Sequence, residues 1–139
     1  MGIFQEDDNS ISLLCVEDEE VSRLLLQKVI SRKFPSLKIH SAANGLSGLE
    51  LFDKVSPEIV LTDINMPSMN GILMASVIKK LNPKTEILIL SAQEKEWYEL
   101  DFSRIGISHY LHKPIVFEEV FHAIHNSVVS ITSGRNGFY

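Results

Sequence analysis

The chain has 139 residues, 45% of them hydrophobic and 22% charged, a length and composition that fit one globular domain with its own core. A net charge of -5 without any Lys/Arg cluster excludes a generic nucleic-acid binder, because backbone phosphates select for clustered cations. No run approaches the roughly 18 apolar residues that cross a bilayer, the acidic start Glu6-Asp7-Asp8 is unlike a signal peptide, and a lone Cys15 excludes an internal disulfide, so a cytoplasmic protein without membrane contact is expected.

In chain order, short β-branched apolar runs alternate with longer stretches of helical period, which predicts five βα units around a parallel sheet. Residues 1–10 read as a polar tail, 11–130 as the domain and 131–139 as a second tail or linker, since 133–137 are turn-forming types. The first strand is predicted over 12–16, with Cys15 as a small core hydrophobe. A helix follows over about 20–34, its buried face expected to be Val21, Leu24, Leu25 and Val29, and Pro35 ends it. The second strand spans 38–42 and a shorter helix 46–54. The third strand covers 59–62, and Met74, Val77, Ile78 and Leu81 mark the helix after it. Strand four covers 86–90. The next region, 94–100, is acidic and aromatic, and Trp97 and Tyr98 there fit either a partner-docking patch or the core stripe of a helix. Strand five covers 109–111, and the last helix carries Phe117, Val120, Phe121, Ile124 and Val128 on one stripe.

Strands covered on both faces read as continuous apolar runs, whereas edge strands are mixed. Strands one, three and four are continuous and strands two and five are mixed, which places the latter two at the edges. With right-handed crossovers this gives an α/β, flavodoxin-like sheet of order 2-1-3-4-5 with helices on both faces. In such a sheet all strand C-termini share one side, so Glu17 and Asp18, Asp63, Ser91 and Lys113 converge there. Three neighbouring carboxylates need a cation to stay ionised, and their hard oxygens suit Mg²⁺, or Mn²⁺. A carboxylate beside such an ion can serve as an aspartyl nucleophile toward phosphorus, with Lys113 and Ser91 placed to receive phosphoryl oxygens. The competing reading of Glu17 or Asp18 is a cap on the first helix.

The segments Leu14-Cys15-Val16-Glu17-Asp18-Glu19, Leu61-Thr62-Asp63-Ile64-Asn65-Met66-Pro67-Ser68-Met69-Asn70-Gly71, Leu90-Ser91-Ala92 and Tyr110-Leu111-His112-Lys113-Pro114 resemble those of the receiver domain of two-component response regulators, chemotaxis-Y-like, from about residue 13 to 129. The resemblance implies that Asp63 takes a phosphoryl group from the phosphohistidine of a sensor histidine kinase or phosphotransfer protein. It implies Mg²⁺ held by Glu17, Asp18, Asp63 and the backbone carbonyl of Asn65, and phosphoryl oxygens met by Lys113 and Ser91 with Ala92 leaving them room. It also implies Tyr110 and Ser91 as the switch pair, a cis peptide at Lys113-Pro114, and a downstream protein on the face of the fourth helix, fifth strand and fifth helix, with a homodimer possible. Such a chain is a switch rather than an enzyme with its own substrate. The alternatives are a receiver-like scaffold that acts without phosphorylation, and a phosphatase of haloacid dehalogenase type, which needs a second acid where Asn65 stands.

Overall fold

The computed structural model describes residues 10–135, and the two terminal segments outside that range include most of the predicted tails. The elements run β1 (Ser12–Val16), α1 (Glu20–Lys33), β2 (Lys38–Ala42), α2 (Gly45–Val55), β3 (Ile59–Asp63), α3 (Gly71–Leu81), β4 (Glu86–Ser91), a 3₁₀ turn (Lys95–Tyr98), α4 (Glu99–Ile105), β5 (His109–His112) and α5 (Phe117–Arg135). The five strands form one sheet in the order β2-β1-β3-β4-β5, every pair parallel, as the mixed composition of the two edge strands predicted.

Alternation along the strands divides the core in two. Leu13, Cys15, Ile59, Leu61, Leu88 and Leu90 face one layer, where Leu26 and Ile30 of α1 and Val120 and Ile124 of α5 cover them. Leu14, Val16, Val60, Ile87 and Ile89 face the other, under Phe52 of α2, Met74 and Ile78 of α3 and Phe102 of α4. Both faces of the three central strands are thereby sealed, which holds the strand ends at one rigid edge.

The inward face of α1 differs from the predicted one. Val21, Leu24 and Leu25 are exposed, Val29 is only partly buried, and Leu26 and Ile30 are fully inside. The run Leu24-Leu25-Leu26 matches more than one helical phase, so periodicity alone cannot choose among them. The phase that prevails also turns Arg23 toward the sheet edge, where Nη1 donates to the Glu17 carbonyl at 2.9 Å. In α3, Met74 and Ile78 are buried as the period requires, with Ala75 buried beside them, but Val77 is only partly buried and Leu81, the last helical residue before the Asn82 cap, is exposed. The final helix runs on through Arg135, three residues into the segment read as a turn-rich linker. Arg135 there meets Glu58 at 2.7 Å, and about two turns earlier Ser127 donates to Glu86, so polar contacts to the sheet's far end carry the helix past its apolar stripe.

Candidate functional site

The loop after β1 is held by three local contacts. Glu19 caps α1, its carboxylate accepting from the amides of Ser22 at 2.7 Å and Val21 at 3.4 Å, so neither Glu17 nor Asp18 is the cap. Glu17 accepts from the Glu19 amide through Oε2 at 3.1 Å, and Arg23 grips the Glu17 carbonyl. The cap therefore leaves Glu17 and Asp18 to serve the strand edge.

Asp63 is the last residue of β3 and is buried. Its Oδ1 accepts from the Ile64 amide at 3.0 Å and its Oδ2 from the Lys113 ammonium at 2.8 Å. The loop beyond it closes tightly: Gly71 donates to the Ile64 carbonyl at 2.8 Å, and a Cβ at position 71 would lie 2.0 Å from the Asp63 carbonyl oxygen. Only glycine admits that approach. Gly71 belongs to the motif, but nothing in its residue type told a close-packing glycine from an ordinary turn one.

Glu17, Asp18 and Asp63 each offer an oxygen within 4.8 Å of the others, the single such acidic group among the described residues. Glu17 is buried, and its Oε1 has no hydrogen-bond partner among the described residues, lying 3.5 Å from Lys113 Nζ. Burial first, and then the charges of Asp63 and Asp18, push the Glu17 carboxyl above the usual carboxylate range, against the lowering effects of the Glu19 amide and Lys113. Burial pulls Lys113 down, but its hydrogen bond to Asp63 and the charges of Asp63 and Glu17 outweigh that, and its ammonium is held above the ordinary lysine value. An orphaned buried carboxylate oxygen in a set of hard anionic donors fits a divalent cation of the Mg²⁺ type.

The remaining predicted residues lie around this edge. Ser91 ends β4 beside Asp63's strand and is buried, its Oγ accepting from the Gln93 amide at 3.0 Å, and Lys113 N donates to the Ser91 carbonyl at 2.7 Å. Ala92 follows it at the surface, and Asn65 is exposed in the loop after β3. The Lys113-Pro114 peptide is cis. Tyr110 is half-buried against Phe102, with ring centroids 5.4 Å apart, and its hydroxyl donates to the Gln93 carbonyl. His112 reaches Glu94 at 3.5 Å, a second tie between β5 and the loop after β4. The acidic and aromatic segment divides: Tyr98 packs on the core beside Phe102, while Trp97 is 69% exposed. Sequence reasoning missed Arg23, which only its contact with the Glu17 carbonyl identifies.

The response regulator receiver domain model matches residues 13–125. The transcriptional regulatory protein DegU of Brevibacillus brevis is 25% identical over 86% of this chain and 51% of its own length. The autoinducer 1 sensor kinase/phosphatase LuxN of Vibrio campbellii is 33% identical over 88% of this chain and 14% of its own. The chain thus spans half, or much less, of the curated relatives it matches. Among solved structures, a two-component transcriptional regulator AraC from Clostridium phytofermentans superposes with a TM-score of 0.80 at 28% identity, over 92% of this chain and 99% of that one. No described helix is long and apolar enough to cross a membrane.

Proposed function

Because this chain belongs to the response regulator receiver domain family, a phosphoacceptor module of two-component signalling, we propose that Asp63 is its phosphoacceptor and that Glu17 and Asp18 hold Mg²⁺ beside it. The observation that carries this reading is the joint placement at one strand edge: Asp63 2.8 Å from Lys113, within 4.8 Å of Glu17 and Asp18. A cation held by Glu17, Asp18 and Asp63 would supply positive charge to neutralise the transferring phosphoryl group. Asp63 forms the new P–O bond as the P–N bond of a phosphohistidine breaks, the electron pair leaving with the imidazole, which takes a proton from solvent. Lys113 exchanges the vanished carboxylate charge for a phosphoryl oxygen, and the Ser91 hydroxyl donates to another.

The donor in this reading is a cytoplasmic histidine kinase or phosphotransfer protein. Val21, Leu24 and Leu25 support its docking here, since they lie exposed on the first turns of the helix that begins beside Asp18. The switch follows the ties already described. Lys113 and Ser91 move with the charge, Ser91 carries the Gln93 amide, and Tyr110, bonded to the Gln93 carbonyl, follows, so the α4-β5-α5 face changes. The module acts as a switch written by another protein.

Incubation with a small phosphodonor and Mg²⁺ tests the assignment by intact mass. One phosphoryl group is expected on the wild type and none on Asp63→Asn, whereas equal labelling of both refutes it.

A further inference from the structure

The packing of one short segment leaves two large apolar side chains in water. Tyr98 and Phe102 turn inward with ring centroids 5.7 Å apart, and Phe102 continues to Tyr110. That orientation forces Trp97 and Leu100, three residues apart on the outer side, to 69% and 73% exposure. Around them stand four exposed carboxylates, Glu94, Glu96, Glu99 and Asp101, against two cations, Lys95 and Arg104. Beside this ridge, between β5 and the first turns of α5, lies a trough of about 490 Å³ with Tyr110 and His112 on one wall and Glu118, Glu119 and His122 on the other. The face is apolar at its crest and acidic at its rim.

The charge decides among occupants. A second copy meeting this face about a two-fold axis would set carboxylates against carboxylates, and anionic lipid or nucleic acid would meet the same repulsion. Edge pairing with β5 offers only the four residues His109–His112. A rod seated between two helices is the remaining mode, with apolar side chains to cover Trp97 and Leu100 and cations to meet the rim. We propose that the α4-β5-α5 face docks a basic, amphipathic helix of a partner protein, with Trp97 and Leu100 as its apolar anchors. This deepens the reading of that face as the output surface and rests on it for the timing of docking, not for its chemistry.

Trp97 is the chain's sole tryptophan, so its emission reports contact directly. The full chain is titrated with a synthetic leucine–lysine amphipathic helix and with its leucine–glutamate twin, before and after incubation with a small phosphodonor and Mg²⁺. The lysine peptide is expected to shift Trp97 emission to the blue and to bind at least about tenfold more tightly than the glutamate twin. Glu96→Lys with Glu99→Lys is expected to reverse that preference, and Leu100→Ala to weaken binding severalfold with an unchanged far-UV spectrum. Equal binding of both peptides, an unmoved Trp97 spectrum, or a dimer in sedimentation that buries Trp97 overturns the proposal. Asp63→Asn separates the two ideas: lysine-peptide binding that is the same in wild type and variant, with and without phosphodonor, keeps the docking chemistry and removes its control by phosphorylation.

Discussion

Replacing Glu17 by Gln should stabilise the protein without divalent cations and destabilise it relative to wild type with them. Glu17 lies within 4.8 Å of both Asp63 and Asp18 and 3.5 Å from the Lys113 ammonium. At an effective dielectric of about 20, each repulsion is about 3.5 kcal/mol and the attraction about 5 kcal/mol, and at about 40 all three halve. The two repulsions exceed the single attraction by about 1 to 2 kcal/mol, and the desolvation of a buried carboxylate adds to the same side. Glutamine keeps the shape and an acceptor for the Glu19 amide. A gain of that size corresponds to about 3 to 8 °C in a domain of this length. With cation at about 100 times its dissociation constant the wild type gains about 2.7 kcal/mol, while the variant, short of one anionic ligand, gains less. Thermal unfolding by circular dichroism in EDTA and across a MgCl₂ titration measures both. A lower melting temperature for Glu17→Gln in EDTA, or equal Mg²⁺ stabilisation of the two proteins, refutes the reasoning.

Removing the ammonium that pairs with these carboxylates should have the opposite effect. Lys113→Met leaves three carboxylates without their ammonium and is expected to destabilise the cation-free fold by about 2 to 3 kcal/mol in urea unfolding, with Mg²⁺ recovering part of it. The raised Glu17 carboxyl sets a pH dependence. The native state holds a proton that the unfolded state releases near 4.5, so cation-free stability falls as pH rises from about 4.5 through the higher native value, and parallel melts with and without Mg²⁺ should show the dependence flattened by the ion. Arg23→Ala should weaken Mg²⁺ affinity severalfold while leaving the unfolding midpoint in EDTA within about 0.5 kcal/mol, and Arg23→Lys should recover part of the affinity, both read from an Mg²⁺ titration of Trp97 fluorescence.

The sheet was legible because its signal is compositional. Apolar runs at β1, β3 and β4 against mixed runs at β2 and β5 gave the strand order directly, and the parallel arrangement then gathered Glu17, Asp18, Asp63, Ser91 and Lys113 from across a hundred residues. Helix phase was less legible. Leu24-Leu25-Leu26 satisfies competing stripes, and the phase that prevails buries Leu26 and Ile30 and brings Arg23 to the Glu17 carbonyl, a contact that no periodicity encodes. The same holds at 97 and 98, where two adjacent aromatics part company because a 3₁₀ turn precedes α4 and only Tyr98 reaches Phe102. Gly71 needed coordinates as well, since its role is a distance to the Asp63 backbone.

Charge balance at the edge fixes an order of events. Three carboxylates and one ammonium leave an excess of two negative charges when all are ionised, and the raised Glu17 carboxyl with its orphaned oxygen is the local sign of that excess. A phosphoryl donor approaching this edge without a cation meets net repulsion, and the product would be worse, because the carboxylate charge of Asp63 is replaced by about two on the phosphoryl group. A divalent cation held by Glu17, Asp18 and Asp63 would cancel the starting excess, and phosphorylation of Asp63 would then leave about one uncompensated charge, displaced outward from the carboxylate to the phosphoryl oxygens. Among the described residues Lys113 is the one cationic side chain bonded to Asp63, and its backbone amide is bonded to the Ser91 carbonyl. In the proposed phosphorylation the outward step of charge would therefore act first on Lys113 and on Ser91 next to it, and through the Gln93 and Tyr110 hydrogen bonds on the loop that carries Trp97.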